Sequence, residues 1–396
     1  MDNLFITWVA TTVTVLATIL WNKLRRRKRT AQLPRGSFGW PLIGETLDFV
    51  SCSYSPRPES FMDKRRLLHG KVFKSHLFGS PTIVSTDAEV SWFVLQSDEN
   101  TFVPWYPKSL TELMGKSSIL LINGSLQKRI HGLIGTFFKS PHLKARITRD
   151  MQCYVFEAIN HWKDDQLICI QEESKRAKKR MVMLIENIIQ EKRKNKNGCT
   201  QRDVVDVLIN DGSDRLTDDL ISDNMIDLMI PAEDSVPVLV TLAIKYLSEC
   251  PLALRHLEVI TETLRMGNII SGIMRKAVRD VEIKGHFIPK GWCVLTYFRS
   301  VHLDESLYKE AYKFNPWRWK DKDVGARSFT PFGGGQRLCP GLDLARLQAS
   351  IFLHHLVTSF TWVAEEDHII NFPTVRMKGG MPIRVRRKAK EPPIPG

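Results

Sequence analysis

The sequence predicts a mainly α-helical protein with small β-sheets. Apolar residues recur at helical spacing over long stretches, above all in 223–258 and in 342–357. Shorter alternating runs lie between them, and the run over 278–294 is interrupted by Lys284 and Gly285, as in a hairpin of two strands. The hydrophobic content of 43% is ample for a globular core.

The remaining elements follow in order along the chain. Strand-like runs occupy 72–78 and 82–85. Helical patterning is predicted for a larger set of segments, namely 61–69, 87–96, 107–114, 151–170, 176–196 and 202–210. His302, near Asp304, is expected to order a loop rather than to bind a metal.

Charge and cysteine usage narrow the class of protein. The net charge of +14 is concentrated in two basic segments, 23–29 and 175–196, without the interleaved aromatic residues of a nucleic-acid motif. We therefore expect no nucleic acid as partner, whereas a basic surface suits an acidic electron-donor protein. The seven cysteines are scattered and include no Cys-x-x-Cys pair, so neither a disulfide framework nor a zinc site is predicted.

The N-terminal segment predicts a membrane anchor. Residues 3–22 carry no charge, match the thickness of a bilayer as a helix, and are followed by the basic residues 23–29. By the positive-inside rule the basic side stays cytosolic, so the chain would cross the membrane once and contact lipid there. We expect an anchor and basic stop in 1–29, a proline- and glycine-rich hinge in 30–44, and one catalytic domain in 45–396.

The stretch Phe332–Gly341 predicts a loop that holds a reactive cysteine. Cys339 lies just before the helical pattern, where the positive end of the helix dipole would stabilise a thiolate. A thiolate is an electron-rich axial ligand for haem iron, and Arg337 is placed to meet a haem propionate. Phe332 can pack on the porphyrin edge. The alternative is a glycine-rich loop with an ordinary buried cysteine.

A second candidate site lies in the long apolar helix. Pro231 and Pro237 each remove a backbone donor, so a kink with open carbonyls is expected between them. Asp234 and Ser235 could then relay protons as an acid and a hydrogen-bonding hydroxyl. The alternative is a kinked helix whose acids are only solvated.

The spacing Phe-x-x-Gly-x-Arg-x-Cys-x-Gly, completed by Gly335 and Gly341, resembles the haem-binding signature of the cytochrome P-450 monooxygenases. The resemblance implies haem b held by Cys339, with NADPH-cytochrome reductase and O2 as partners at the endoplasmic reticulum membrane. The segment around Asp234 and Ser235 is similar to the oxygen-activation motif of this family, with serine in place of threonine.

Further family positions are matched by charged residues. Glu262, Arg265 and Arg318 match a buried structural charge triad, and Arg275 matches an arginine directed to a propionate. The segment 124–131 resembles the start of the third helix of the family, but the usual tryptophan and arginine are missing. Either Arg129 or His131 is a candidate to replace their contact with the propionates, and a solvated Arg129 is an equal alternative.

Resemblance extends to the plant enzymes of brassinosteroid synthesis. Within them, four stretches look most like the branch that hydroxylates the steroid side chain at carbon 23, namely 58–66, 113–125, 290–303 and 332–346. Two junctions, after Lys175 and after Glu258, depart from the family. Parts of the substrate roof, and the helices that follow the oxygen-activation helix, are expected to be missing. A steroid hydroxylase is therefore predicted, with a haem-binding, inactive isoform that competes for the reductase, or an isomerase independent of the reductase, as alternatives.

Overall fold

Helices and small β-sheets build the computed structural model of this chain. It describes residues 33–41, 43–108, 111–112, 117–173, 218–255, 258–320, 325–372 and 374–389. The predicted anchor and the helical patterns in 176–196 and 202–210 lie outside the described residues. Within the described residues, none of the helices is both long enough and apolar enough to cross a membrane.

The helices confirm the mainly α-helical prediction. In chain order they are α1 (Thr46–Ser53), α2 (Ser60–His69), α3 (Ala88–Gln96), α4 (Gly124–Lys139), α5 (Pro141–Asn160), α6 (Asp218–Glu249), α7 (Val259–Gly267), α8 (Phe298–His302) and α9 (Leu342–Ser359). Short 3-10 turns cover Pro251–Arg255, Pro316–Trp319 and Gly335–Arg337.

The strands form several small sheets. They are β1 (Val72–Leu77), β2 (Ser80–Ser85), β3 (Phe102–Pro104), β4 (Leu167–Cys169), β5 (Ile273–Ala277), β6 (Val281–Ile283), β7 (His286–Ile288), β8 (Cys293–Thr296), β9 (Phe360–Ala364), β10 (Ile369–Ile370), β11 (Arg376–Met377) and β12 (Pro382–Arg387). One sheet has the order β1-β2-β8-β5-β3 and another the order β4-β12-β9, while β6-β7 and β10-β11 are two-stranded. All pairs are antiparallel except β2 with β8.

The predicted hairpin at Lys284 and Gly285 is confirmed. These two residues connect β6 to β7, and both have positive φ angles, 51° and 76°. A two-residue turn of this kind matches the twist of the strands, and glycine adopts the second position without steric cost.

Two helix predictions need correction. The long apolar helix ends at Glu249 rather than at residue 258, because Pro251 disfavours helical geometry at the residue before it and begins a 3-10 turn. The helix in 151–170 begins earlier, at Pro141, and ends at Asn160, before strand β4. The two prolines within α6 do not interrupt its helical assignment, since the helix continues from Asp218 to Glu249.

The main hydrophobic core includes α9, the helix that follows the glycine-rich loop. Its buried members include Leu242 of α6, Leu264 of α7, Leu356 of α9 and Ile383 of β12. The α6 and α7 helices approach closely at Gly267, where a Cβ atom would lie 2.7 Å from a methyl carbon of Leu242. The core therefore fixes α6, α7 and α9 relative to one another.

Candidate functional site

The glycine-rich loop is closed by its own backbone. The amide of Cys339 donates to the carbonyl of Phe332 at 3.1 Å, and the amide of Gly333 donates to the carbonyl of Thr330 at 3.0 Å. Gly333 and Gly335 have positive φ angles of 75° and 65°, which side chains with a Cβ atom rarely adopt. The loop thus presents Cys339 directly before α9, as the sequence predicts.

Gly335 is required by a close contact as well as by its φ angle. A Cβ atom built on it would lie 2.2 Å from the carbonyl oxygen of Leu95 at the end of α3. Gly333, in contrast, has no atom within 4 Å of the corresponding position. The loop therefore packs against α3 through the bare backbone of Gly335.

Two opposing effects act on the thiol of Cys339. Although the residue reaches solvent, the protein atoms packed around its thiol raise the pKa, while a hydrogen bond with the backbone of Gly341 acts in the opposite direction. Gly341 is the N-cap residue of α9, so its effect has the direction predicted for the helix N-terminus, although burial is the larger effect in the chain by itself. A bound metal ion deprotonates a coordinating thiol outright, so the raised pKa is compatible with a metal ligand.

Two arginines with little exposure to solvent lie beside the loop: Arg275 is buried and Arg337 is half-buried. Arg337 donates to the backbone carbonyls of Ile119 and Ile122 at 3.1 and 2.6 Å and to Asn123 Oδ1 at 2.8 Å. Burial, with a further contribution from the charge of Arg275, lowers the pKa of Arg337 to about 10. Arg275 is only 8% exposed, and burial lowers its pKa too, against the effect of Tyr106.

These two like charges fit a dianionic ligand. Among the residues that the structure describes, neither Arg275 nor Arg337 forms an ion pair with a carboxylate, although buried charges are normally paired. A haem carries two propionates that would supply the missing negative charge, and Cys339 supplies a thiol ligand near Arg337. The side chains present therefore fit haem at this loop, as the sequence predicts.

Helix α4 supports the loop from another side. The ring of His131 hydrogen-bonds through Nε2 to the carbonyl of Leu338 at 2.7 Å, and Gln127 Nε2 donates to the carbonyl of Gln336 at 3.4 Å. His131 thus contacts the loop backbone on one side of Arg337, and Gln127 contacts it on the other. Sequence reasoning missed Gln127. Its position four residues before His131 puts both side chains on the same face of α4, and this spacing could have identified it. Arg129 is half-buried on the same helix.

The charged residues Glu262, Arg265 and Arg318 come together as predicted. Arg265 donates to both carboxylate oxygens of Glu262 at 2.9 and 2.7 Å, and neither side chain is exposed. Arg318 Nε donates to Glu262 Oε1 at 3.0 Å. Arg265 also donates to the carbonyls of His302 and Ala311, so the cluster ties α7 to the segment that precedes the loop.

Two further donors to Glu262 were not predicted. The indole of Trp319 donates to Glu262 Oε2 at 2.9 Å, and the backbone amide of Asn315 donates to Glu262 Oε1 at 3.0 Å. Both residues belong to the segment Asn-Pro-Trp-Arg-Trp around Arg318. Their closeness to Arg318 in the sequence could have identified them as further partners of Glu262. The carboxylate of Glu262 is therefore fully hydrogen-bonded, as a buried charge requires.

The predicted proton-relay residues lie on α6. Asp234 is exposed and Ser235 is half-buried, whereas Pro237, two residues further along the helix, is buried. Helix α6 packs against both α7 and α9, the helix that follows Cys339. The arrangement gives Asp234 access to solvent, which a proton donor to a buried site needs.

A separate cleft of about 690 Å³ lies away from the loop, between α2 and α8. Its charged lining includes Arg57, Glu59, Arg66, Arg299 and Asp304, and no residue of the glycine-rich loop contributes to it. These side chains are already paired with one another, as Arg66 is with Asp304 at 2.7 Å. The cleft is therefore a poor candidate for an apolar substrate.

Comparison with known proteins identifies the class to which this fold and site belong. The family model described as Cytochrome P450 matches residues 256–383. Cytochrome P450 90D2 of Oryza sativa subsp. japonica is 57% identical over 479 aligned positions, which cover 96% of this chain and 98% of that protein. This chain therefore belongs to the cytochrome P450 family of monooxygenases, and its cofactor is haem b.

More particular relatives have named activities. A 3-epi-6-deoxocathasterone 23-monooxygenase of Arabidopsis thaliana, CYP90D1, is 52% identical, with 90% of each chain covered. A second Arabidopsis thaliana protein with the same activity in its name, CYP90C1, is 45% identical and covers 90% of this chain and 85% of its own length.

The fold agrees with a solved structure of the same class. Retinoic acid bound cyanobacterial CYP120A1 superposes with a TM-score of 0.79 over 90% of this chain and 99% of that chain, at 20% sequence identity. The predicted fold class is thereby confirmed. The rice alignment spans 479 positions whereas this chain has 396 residues, so it contains gaps opposite this chain, consistent with a shortened form.

Proposed function

We propose that this protein hydroxylates the side chain of phytosteroid intermediates at carbon 23, in the synthesis of brassinosteroid hormones. The names of the two Arabidopsis relatives support the substrate and the position of attack. The observation that carries the chemistry is the pair of arginines beside the Cys339 loop, buried Arg275 and half-buried Arg337, which form no ion pair with a carboxylate of the described residues.

The residues of this loop hold the cofactor. Cys339 would provide the thiolate ligand, and Arg275 and Arg337 would bind the two propionates, whose negative charges would neutralise the two arginines. Gly335 brings the loop against α3 and Gly341 meets the thiol through its backbone, while Phe332 would pack on the porphyrin edge. His131 and Arg129 would add contacts from α4.

Haem supplies the activation of O2, with two electrons from NADPH-cytochrome reductase, so that one oxygen atom enters the steroid and the other leaves as water. The reaction consumes two protons, which residues of this chain must deliver. Asp234 takes protons from solvent, and the Ser235 hydroxyl passes them toward the cofactor. The charge cluster of Glu262, Arg265 and Arg318 has a structural role, because it fixes the segment that leads into the loop.

The location follows from the sequence. Residues 1–29 anchor the protein in the endoplasmic reticulum membrane, where lipid surrounds the helix. Residues 30–44 would link this anchor to the catalytic domain of residues 45–396 on the cytosolic side, where the reductase acts. Nucleic acid has no part in this function.

The shortened length supports a second candidate function. The 479-position alignment is longer than this chain of 396 residues, so the rice relative has segments that this chain lacks. The predicted junction after Lys175 would remove part of the substrate roof, and the one after Glu258 lies directly before α7. A chain without part of its pocket would bind haem but not the steroid. It would then act by competing with active enzymes for the reductase.

Turnover and haem spectra distinguish the two functions. The full chain is combined with the reductase and NADPH, and the product of a phytosteroid lacking oxygen at carbon 23 is identified by mass spectrometry. We expect one added hydroxyl, and a substrate-induced change in the haem spectrum. A thiolate-type haem spectrum without either response would contradict the hydroxylase and favour the inactive isoform.

A further inference from the structure

His302 lies outside the haem loop but is bonded to the segment that enters it. Its side chain is fully buried at the end of α8. The ring packs against Phe298 and Phe329, at centroid distances of 6.4 and 5.6 Å. Both ring nitrogens have hydrogen-bond partners, so the residue does more than fill space.

The hydrogen bonds fix the protonation state of this ring. The backbone amide of Thr330 has only a hydrogen to offer, so His302 Nε2 must accept it, at 3.0 Å. The hydrogen of the neutral ring is then on Nδ1, which donates to Asn268 Oδ1 at 2.7 Å. Burial lowers the pKa of His302 to about 3, and the positive charges of Arg265 of α7 and Arg299 of α8, which face the ring, act in the same direction.

Each partner of His302 is itself fixed. Asn268 ends α7 in the left-handed conformation, and its amide donates to the carbonyl of Arg265 at 2.7 Å. Thr330 is 5% exposed, and its carbonyl accepts the amide of Gly333 at 3.0 Å. Two residues further on, the carbonyl of Phe332 accepts the amide of Cys339.

We propose that His302 is a positioning residue for the haem ligand: its neutral imidazole joins the end of α7 to the Thr330 amide and thereby sets the loop that presents Cys339. The inference rests on the proposed role of Cys339 as the axial ligand. It differs from the role of the Glu262 cluster, which acts on the segment before the loop, because His302 bonds to the loop entrance itself.

Two conservative variants separate the two hydrogen bonds. In His302→Asn the amide reaches the position of Nδ1 and can donate to Asn268, but it cannot reach Thr330. In His302→Gln the side-chain oxygen reaches the position of Nε2 and can accept from Thr330. Both variants lose one bond and some ring packing, so a purely structural role predicts similar effects on thermal unfolding and on the haem ligand.

The test is the carbon monoxide difference spectrum of the reduced, haem-loaded full chain, with thermal unfolding measured on the same samples. We expect His302→Gln to retain the thiolate-type band, and His302→Asn to show at least about a fivefold larger fraction of the band of a lost thiolate. Equal spectra for the two variants, or losses that simply follow the melting temperature, would overturn the proposal. A wild-type chain without the thiolate band would instead refute the role of Cys339.

Asn268→Asp provides a test if neither His302 variant folds. A carboxylate facing Nδ1 favours the doubly protonated ring, whose second N–H would then face the Thr330 amide. We expect the thiolate-type band of this variant to decline on acidification from about pH 7 to about pH 5, a range in which the wild-type ring stays neutral. A band that does not change with pH in this variant would also overturn the proposal.

Discussion

The single residues of greatest consequence are the two arginines beside the loop. Replacement of Arg275 by Met removes a buried charge that the described part of the chain does not neutralise. We expect the haem-free protein to keep its stability, whereas haem binding should weaken roughly tenfold to a hundredfold, because a charge-assisted bond to a propionate is lost. Haem titration of the haem-free protein measures this effect.

The matched control is Lys276→Met, which removes an exposed positive charge from the next position of β5. Its haem affinity should remain close to that of the wild type. Equal affinities for the Arg275 and Lys276 variants would show that Arg275 does not bind the cofactor.

Glu262 is the residue whose loss should most affect stability. Glu262→Gln would leave Arg265 and Arg318 without their common carboxylate in a site where Glu262 and Arg265 have no exposure. We expect the free energy of unfolding to fall by about 3–5 kcal/mol. Denaturant titration of the wild type and the variant gives this difference.

Glu310→Gln is the control for that substitution. Glu310 pairs with Lys313 at 3.4 Å on the surface, with both side chains more than half exposed. Exposed pairs contribute little, so this variant should unfold at nearly the wild-type denaturant concentration. A loss as large as that of Glu262→Gln would argue against the special role of the buried cluster.

At the scale of the elements, the contact between the loop and α3 depends on one glycine. Gly335→Ala would place a methyl group 2.2 Å from the Leu95 carbonyl oxygen, so the loop must move away from α3. Gly333→Ala meets no atom within 4 Å, and its cost is limited to the strain of a positive φ angle, about 1–2 kcal/mol.

Haem content after purification therefore distinguishes these two variants. We expect Gly333→Ala to retain most of its haem and Gly335→Ala to lose it. Comparable haem content in both would mean that strain alone, rather than the contact with α3, determines the fold of the loop.

The link between α7, α8 and the loop should also give stability a dependence on pH. His302 has a folded pKa of about 3, against about 6.5 in an unfolded chain. As the pH falls below about 6.5, the unfolded chain takes up a proton that the folded chain excludes, so stability is lost by up to about 1.4 kcal/mol per pH unit.

His302→Gln has no ring to titrate and serves as the comparison. Its unfolding free energy between about pH 7 and pH 5 should fall less steeply than that of the wild type. Parallel stability curves for the two proteins would contradict the neutral, buried state of His302.

For the whole molecule, local sequence patterns predicted most elements of the fold. The hairpin at Lys284 and Gly285 needs only two residues with positive φ angles, and the start of α9 follows directly from the glycine-rich loop. The end of α6 was placed too late because the apolar pattern continues past Pro251, where the backbone cannot remain helical.

The site was predicted less completely, since its contacts join distant parts of the chain. The family motif identifies Arg337 and Cys339, but not the carbonyls of Ile119 and Ile122, more than 200 residues earlier, that hold the arginine. The thiol pKa likewise depends on the density of surrounding atoms, which no local pattern reveals. Position along the sequence therefore identified the reactive groups, and packing determined their properties.

The central claim is that this chain holds haem through Cys339 despite its shortened length. The most direct measurement is the carbon monoxide difference spectrum of the reduced full chain, with Cys339→Ser as the control. We expect a thiolate-type Soret band for the wild type and its absence in the variant. A wild-type chain without bound haem, or with the band of a lost thiolate, would contradict this account.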